Sequence, residues 1–362
     1  MKILCFIDSL GSGGAQRQMV ELGKGFKEKG HEVLFLTYHE INFFKHELDA
    51  VHIPVKTVVE PNYLKRIFKI RKAIRKEKPD AVLSFLEGAN FMATLAGFPS
   101  RKWKLVVGER SANPEILNNR KLKFYRKAHF LVDYIVGNSH KNIELVKKII
   151  PNINNNKLKV IYNSVEIPRK TNYKIAENNV TKIVVAASYR AVKNLDGLIQ
   201  AVQLLPEEHL NKLNIHWFGN ISMDNTYFQK QQDKINQLNL NEVLILNDKT
   251  NKIEEKYEAA DFVGLFSHFE GFPNTICEAM ALSKPVIVTK VSDVPLFVKE
   301  NENGFLCESD NPDSIKNALI QGVNSSNKQR KRMGDNNYKI AIKEFSKEMI
   351  VSQYLNLLEN GQ

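Results

Sequence analysis

Short apolar runs of strand length alternate along this chain with longer amphipathic segments, and that alternation predicts parallel α/β architecture. Ile3–Ile7, Glu32–Thr37, Ala81–Phe85, Lys104–Val107 and Tyr134–Val136 read as buried strands, each followed by a helical pattern. A helix is expected from about Gly14 to Lys29, because Met19, Leu22 and Phe26 fall on one face and Gly30 stops it. A second series of strands reads Ile183–Ala187, Ile215–Phe218, Val243–Leu246, Phe262–Phe266, Val286–Thr289 and Phe305–Cys307. It begins after an Asn-rich stretch at 152–156 and a polar segment at 163–179. Two doubly wound domains are therefore expected in succession, residues 1–165 and 180–340, with a linker near 163–180. The polar, helical stretch Gln329–Asn360 supplies closing helices, the last of them at 341–362. In such sheets ligands sit at the carboxyl ends of the strands, and two domains make the cleft between them the expected site.

Composition agrees with this and adds one constraint. With 362 residues, 43% of them hydrophobic and 25% charged, the chain is globular and long enough for two cores, and disordered or disulfide-stapled scaffolds are excluded. The net charge of +12 points to an anionic partner: nucleic acid, a membrane surface or a phosphorylated ligand. It is unevenly placed. Residues 1–165 hold 29 Lys and Arg against 15 Asp and Glu, a net +14, and the remainder hold 23 against 25, a net −2. Cys5, Cys277 and Cys307 are odd in number and scattered, so neither a disulfide framework nor a zinc site is expected, and a reducing compartment fits. The run Ile3–Ile7, stopped by Asp8, is too short for a secretory signal, and no uncharged apolar stretch approaches the ~18 residues that would span a bilayer. A soluble or peripheral protein is expected.

Three constellations carry candidate chemistry. Gly11-Ser12-Gly13-Gly14 follows the first strand and opens a helix. Backbone N–H groups there can approach a phosphate or sugar, although Ala15 and Gln16 stand where the dinucleotide fingerprint needs a further glycine, and a tight structural turn explains the pattern equally. The run Ser267 to Ala281 passes from a strand through a loop with Gly271 and Pro273 into a helix starting near Asn274 and Thr275. Glu270 precedes that helix and Glu278 lies about one turn inside it, so two carboxylates flank N–H groups suited to an anion. After the first strand of the second series comes Ala187-Ser188-Tyr189-Arg190-Ala191-Val192-Lys193-Asn194, which sets the cations Arg190 and Lys193 at the carboxyl end of that strand.

The Glu270 to Glu278 segment, with Ala279-Met280-Ala281-Leu282-Ser283-Lys284-Pro285-Val286-Ile287 after it, resembles the signature of retaining glycosyltransferases of family 4, which have the GT-B fold. Gly13-Gly14-Ala15-Gln16-Arg17, Val160 to Val165, Tyr257 to Asp261 and Asn303-Gly304-Phe305 extend the resemblance over nearly the whole chain. It implies two Rossmann-like domains facing across a cleft, with the C-terminal helix returning to the first. It also implies that Glu270 lies by the donor sugar, that Glu278 grips the nucleotide ribose, and that Gly271, Phe272, Pro273, Asn274 and Thr275 contact hexose and diphosphate through the backbone. Lys193 aligns with the family lysine. Arg190 is shifted from the place of the family arginine, which Ser188 occupies here. Arg110, in Gly108-Glu109-Arg110-Ser111, stands where many relatives carry a histidine that approaches the donor sugar; the alternative is an ion pair to Glu109 or another carboxylate. Lys249 falls where the backbone holds the nucleobase. The implied catalytic set is Glu270, Lys193, Arg190 and Arg110, and Gly13 and Gly14 join the donor-binding residues.

The nine histidines form no metal-like cluster and read as surface or packing residues. No Asp-x-Asp motif is present, so metal independence is expected, with no cofactor beyond the nucleotide-sugar, UDP-linked by resemblance. Basic residues surround Tyr63, Ile67, Ile70 and Ile74 in the stretch 63–76, and Arg120, Lys121, Lys123, Arg126 and Lys127 interleave with Leu122, Phe124 and Tyr125. Such basic amphipathic helices suit an anionic membrane surface, and no nucleic-acid module accompanies them. The resulting expectation is a hexosyltransferase on the inner face of the cytoplasmic membrane, acting on a polyprenyl-diphosphate-linked saccharide or a polysaccharide. A nucleotide-sugar epimerase or hydrolase, or a non-catalytic membrane or nucleic-acid binding protein, is the alternative.

Overall fold

The computed structural model describes residues 1–168 and 180–359, so most of the expected linker, 169–179, lies outside the described residues. The chain divides into unit 1, Met1–Ser164 with the residues from Ser346 onward, and unit 2, Val165–Phe345. The crossover therefore falls between Phe345 and Ser346.

Unit 1 runs β1 (Lys2–Phe6), α1 (Gly14–Glu28), β2 (Glu32–Thr37), α2 (Lys45–Ala50), β3 (Val55–Thr57), α3 (Tyr63–Glu77), β4 (Ala81–Phe85), α4 (Glu87–Gly97), β5 (Lys104–Glu109), α5 (Arg120–Lys127), β6 (Tyr134–Gly137), α6 (His140–Ile149) and β7 (Leu158–Val160). Unit 2 runs β8 (Thr181–Ala186), α7 (Leu195–Gln203), α8 (Glu207–Leu210), β9 (Leu213–Gly219), α9 (Asn225–Gln237), β10 (Leu244–Asp248), α10 (Ile253–Glu258), β11 (Phe262–Leu265), α11 (Asn274–Ala281), β12 (Val286–Thr289), α12 (Val294–Phe297), β13 (Gly304–Cys307), α13 (Pro312–Asn324) and α14 (Asn327–Phe345). A last helix, α15 (Lys347–Glu359), belongs to unit 1.

Both sheets are doubly wound. The first has the order β3-β2-β1-β4-β5-β6-β7 and the second β10-β9-β8-β11-β12-β13, with β1 parallel to β2 and β4, and β8 parallel to β9 and β11. The order reverses between β1 and β4 in unit 1 and between β8 and β11 in unit 2. Loops leaving those strand pairs therefore diverge and leave a crevice at the carboxyl edge. The expected strands are all present, and β3 and β7 are additions. Each is three residues long and on an edge, too short for an apolar run to announce it.

Alternate residues of β1, together with Ile7 just after it, feed two cores. Ile3, Cys5 and Ile7 pack with Met19, Leu22 and Phe26 of α1, and Leu4 and Phe6 pack with Ile70 and Ile74 of α3. Ile350, Val351, Tyr354, Leu355 and Leu358 of α15 complete the first of these cores. A Cβ on Gly25 would collide with Val351, so glycine there lets α15 lie directly on α1. The helix α14 is anchored within unit 2, where Asn337 donates to the carbonyls of Lys284 (2.7 Å) and Asn303 (2.8 Å) and Phe345 packs on Phe297 (5.0 Å). Among the described residues no helix is long and apolar enough to cross a membrane.

Candidate active site

In unit 2 the loops after β8 and β11, the two strands at the reversal of order, carry the candidate residues. After β8 the chain makes a short turn, Ala191–Lys193, and Asn194 then adopts a left-handed conformation with φ of 61°. Asparagine tolerates that conformation, and its side chain explains the placement. Nδ2 donates to the carbonyls of Phe266 (3.1 Å) and Ser309 (2.8 Å), and Oδ1 accepts from Gly197 N–H (3.1 Å) at the start of α7. One residue thus ties the β8 loop to the β11 loop, and His268 N–H reinforces the tie by donating to the Val192 carbonyl (2.9 Å).

The consequence is an ion pair across the reversal point. Lys193 Nζ lies 2.5 Å from Glu270 Oε1, which also accepts from Ser267 Oγ at 2.7 Å. Both partners are largely buried, their side chains 19% and 15% exposed. Thr289 Oγ1 donates to the Ser267 carbonyl (2.8 Å), fixing the residue that orients Glu270. Just beyond, Pro273 precedes the first helical residue, Asn274, so the opening N–H groups of α11 lie next to this pair in sequence. Glu278 is buried, 8% exposed, on the same helix. The Phe272 ring packs on Phe297 (5.5 Å) and Phe345 (5.4 Å), leaving backbone rather than ring as what this residue can offer a ligand. Thr275 Oγ1 donates to the Ala186 carbonyl at the end of β8 (3.4 Å). Arg190 is exposed and donates its Nε–H to Ser188 Oγ (3.1 Å). Lys249 follows β10, is exposed, and has its N–H on the Asp248 carboxylate (2.8 Å).

Unit 1 places its candidates differently. Gly13 caps α1 in an extended conformation, and Gly14 opens the helix. Asp8, ahead of this loop, accepts from Ser9 N–H (2.6 Å) and Gln16 Nε2 (2.9 Å). Arg110, at the end of β5, bonds to Asn163 Oδ1 (2.5 Å) and Tyr354 OH (3.4 Å), with its guanidinium 4.5 Å from the Phe85 ring centre. The ion pair offered by its neighbour is not formed. Glu109 points into the core, where Arg126 Nη2 (2.7 Å) and His129 Nε2 (2.7 Å) hold it. Burial alone would raise the Glu109 carboxyl; Arg126 and His129 outweigh it and hold the group below the ordinary carboxylate range. His129 is thus part of a buried hydrogen-bonded network, with Glu87 accepting from Arg126 (3.0 Å) at the start of α4.

The basic helix α3 is only partly a solvated face. Arg71 donates to the carbonyls of Leu95 (2.7 Å), Ala96 (3.0 Å) and Phe98, and Arg75 to those of Ala96 (3.0 Å) and Ser100 (2.8 Å), so two arginines cap the C-terminus of α4. Arg66 bonds the Glu60 carbonyl (2.7 Å) and Lys69 the Glu60 carboxylate (2.7 Å). Lys65, Lys72 and Lys76 remain exposed, beside Leu64 and Phe68, which are 66% and 70% exposed.

Asn194, Ser267 and Thr289 were not singled out by sequence. An asparagine directly before a helix signals a cap, but nothing local tells which carbonyls across the sheet its amide will reach. Among the described residues no group of three or more His, Cys, Asp or Glu is placed to hold a metal ion.

Comparison with known proteins bears on this arrangement. Residues 12–169 match the profile described as Glycosyltransferase Family 4, and residues 169–340 that of Glycosyl transferases group 1. The chain is 28% identical to N-acetylgalactosamine-N,N'-diacetylbacillosaminyl-diphospho-undecaprenol 4-alpha-N-acetylgalactosaminyltransferase of Campylobacter jejuni, over 99% of each chain. It is 24% identical to N-acetyl-alpha-D-glucosaminyl L-malate synthase of Bacillus anthracis, over 94% of this chain and 92% of the other. The crystal structure of HepE from Anabaena in complex with UDP matches with a TM-score of 0.83 at 20% identity, covering 99% of both chains, which establishes the shared GT-B fold. With the two profiles abutting at the passage between two reversed parallel sheets, the chain belongs to the group 1, family 4 glycosyltransferases.

Proposed function

We propose that this glycosyltransferase moves a hexose or N-acetylhexosamine, with retention of configuration, from a UDP-linked donor to a polyprenyl-diphosphate-linked saccharide. The observation that carries the reading is the Lys193–Glu270 pair at the reversal point of unit 2, next in sequence to the opening N–H groups of α11. A cation and a helix N-terminus on one strand edge suit a diphosphate, and the HepE structure in complex with UDP supports that nucleotide. Glu278 accepts the ribose hydroxyls, and backbone N–H groups of 271–275 meet the diphosphate. As the nucleoside diphosphate departs, charge grows on the β-phosphate, and Lys193 stabilises it more in the transition state than in the ground state.

The acceptor hydroxyl attacks the anomeric carbon from the face the diphosphate leaves. The bond from that carbon to the phosphate oxygen breaks, and the hydroxyl proton passes to a β-phosphate oxygen. Glu270 orients the donor and holds Lys193 rather than attacking carbon, because its Oε1 is engaged by both Lys193 and Ser267. Lys193 and α11 supply the positive field, so no metal is assigned a role.

Acceptor recognition is assigned to unit 1, whose exposed Lys65, Lys72, Lys76 and Lys121 lie with exposed Leu64, Phe68 and Phe124 on α3 and α5. The Lys121 ammonium lies 5.6 Å from the Tyr63 ring centre and 5.7 Å from that of Tyr125, which brings the two helices together. Lysines mixed with apolar side chains match an anionic membrane surface, and the named acceptor of the Campylobacter relative is lipid-linked.

The test is transfer itself. Incubation with UDP- and GDP-sugars and a polyprenyl-diphosphate-linked saccharide, read by mass spectrometry and by the anomeric coupling of the product, should show a retained linkage from a UDP-sugar. An inverted product, or transfer from GDP-sugars alone, would sink the corresponding part of the reading.

A further inference from the structure

Ser292, between β12 and α12, has a φ of 50°. That left-handed backbone is unfavourable for an L side chain and free for glycine, so something at this position compensates for the serine. Its hydroxyl donates to the carbonyl of Gly271, 21 residues earlier in the loop that links Glu270 to α11. The same two segments are joined again by the Phe272 and Phe297 rings, 5.5 Å apart. A trans peptide unit is planar, and its carbonyl and the following N–H point in opposite directions. Turning the Gly271 carbonyl toward Ser292 therefore aims the Phe272 N–H away from it.

We propose that Ser292 is a positioning residue for the donor loop: its hydroxyl fixes the Gly271–Phe272 peptide in the orientation that binds the β-phosphate of a nucleoside diphosphate. This rests on the assignment of 271–275 to the diphosphate. The strained serine persists because it holds a peptide that glycine at 292 would leave to rotate. Its influence is confined to the β-phosphate; a nucleoside monophosphate, held by the ribose and base contacts, does not depend on it.

Calorimetry with UDP and with UMP, on the wild type, Ser292→Gly and Ser292→Ala, together with thermal denaturation, tests this. Both variants should bind UMP within twofold of wild type and UDP about tenfold more weakly, the effect of one lost orienting hydrogen bond. The Gly variant should melt no lower than wild type, since glycine relieves the backbone strain. A UDP-to-UMP ratio unchanged in Ser292→Gly overturns the proposal. So does a parallel loss of both nucleotides that follows the melting temperature, which would make Ser292 merely structural. A wild type with no preference for a diphosphate over its monophosphate, whether uridine or guanosine, overturns the donor-site reading itself and the proposal with it.

Discussion

The two units have the same strand order through six strands, yet their reversal points carry different chemistry. In unit 2 the β8 and β11 loops meet in the Lys193–Glu270 pair. In unit 1 the carboxylate after β1, Asp8, bonds to Ser9 and to Gln16 in the first turn of α1, and a buried polar network sits one strand over, beneath the end of β5, as Glu109, Arg126 and His129. Topology makes the crevice in both; side chains delivered by the loops decide which can grip a phosphate. Charge count misleads in the same way. Unit 1 holds 30 basic and 17 acidic residues and unit 2 holds 22 and 23, but Arg71 and Arg75 of unit 1 are bonded to carbonyls of its own backbone. Under the proposed function it is the less basic unit that meets the diphosphate.

The strongest challenge to that contrast is to remove its cation. Lys193→Ala should lower kcat by ~10²–10³, the usual loss for one transition-state charge stabiliser, with a smaller loss of UDP affinity, whereas Arg190→Ala should cost under about tenfold. Steady-state kinetics beside calorimetry checks both, and equal losses would mean that Arg190 swings inward during turnover. Next, Glu278→Ala should weaken UDP by ~10–100-fold, as expected for a carboxylate accepting hydroxyls, while Asp8→Ala in the other crevice leaves UDP affinity unchanged; the reverse result would exchange the roles of the units.

Within unit 1 the basic residues can be separated by function. Arg71→Ala should lower stability by ~2 kcal/mol in denaturant titration, because it strips one of the two charged donors from the end of α4, yet leave binding to anionic vesicles intact. Replacing Lys65, Lys72 and Lys76 together with Gln should do the opposite, at ~1 kcal/mol of membrane affinity per lysine and no loss of stability. Binding that survives the triple change would confine α3 to a packing role.

A pH-dependent effect concerns Lys284 of unit 2, whose ammonium donates to the carbonyls of Glu258 (2.7 Å) and Ala260 (2.9 Å). Burial lowers its pKa to about 8 against partial opposition from Asp261 and Glu258. Between that value and its ordinary 10.5 the unfolded chain binds more protons than the folded one, so this group makes stability rise with pH across the window, by at most ~1.4 kcal/mol per pH unit. Lys284→Met should flatten that part of the profile in urea titrations.

Much of this was legible in the chain itself. Runs such as Ile3–Ile7 and Phe262–Phe266 are apolar at every position because both faces of a parallel sheet are covered, and that density announces the strands. The Glu270 to Glu278 segment announced its strand, loop and helix through Gly271 and Pro273. The edge strands β3 and β7 stayed hidden because three half-exposed residues, as in Val55–Thr57, carry no period.

What the sequence determined by itself, then, was local and periodic: strand and helix alternation, the two-unit plan, the family, and the lopsided charge. Those follow from side-chain patterning over a handful of neighbours. Only the tertiary structure decided that Glu109 turns inward to Arg126 and His129 while Arg110 bonds to Asn163, that two arginines of α3 cap α4, and that Ser292 reaches Gly271. Each is a bond between residues 17 to 53 apart in the chain, and its formation depends on which strand edge or helix end the fold brings within about 3 Å, a distance that no local pattern encodes.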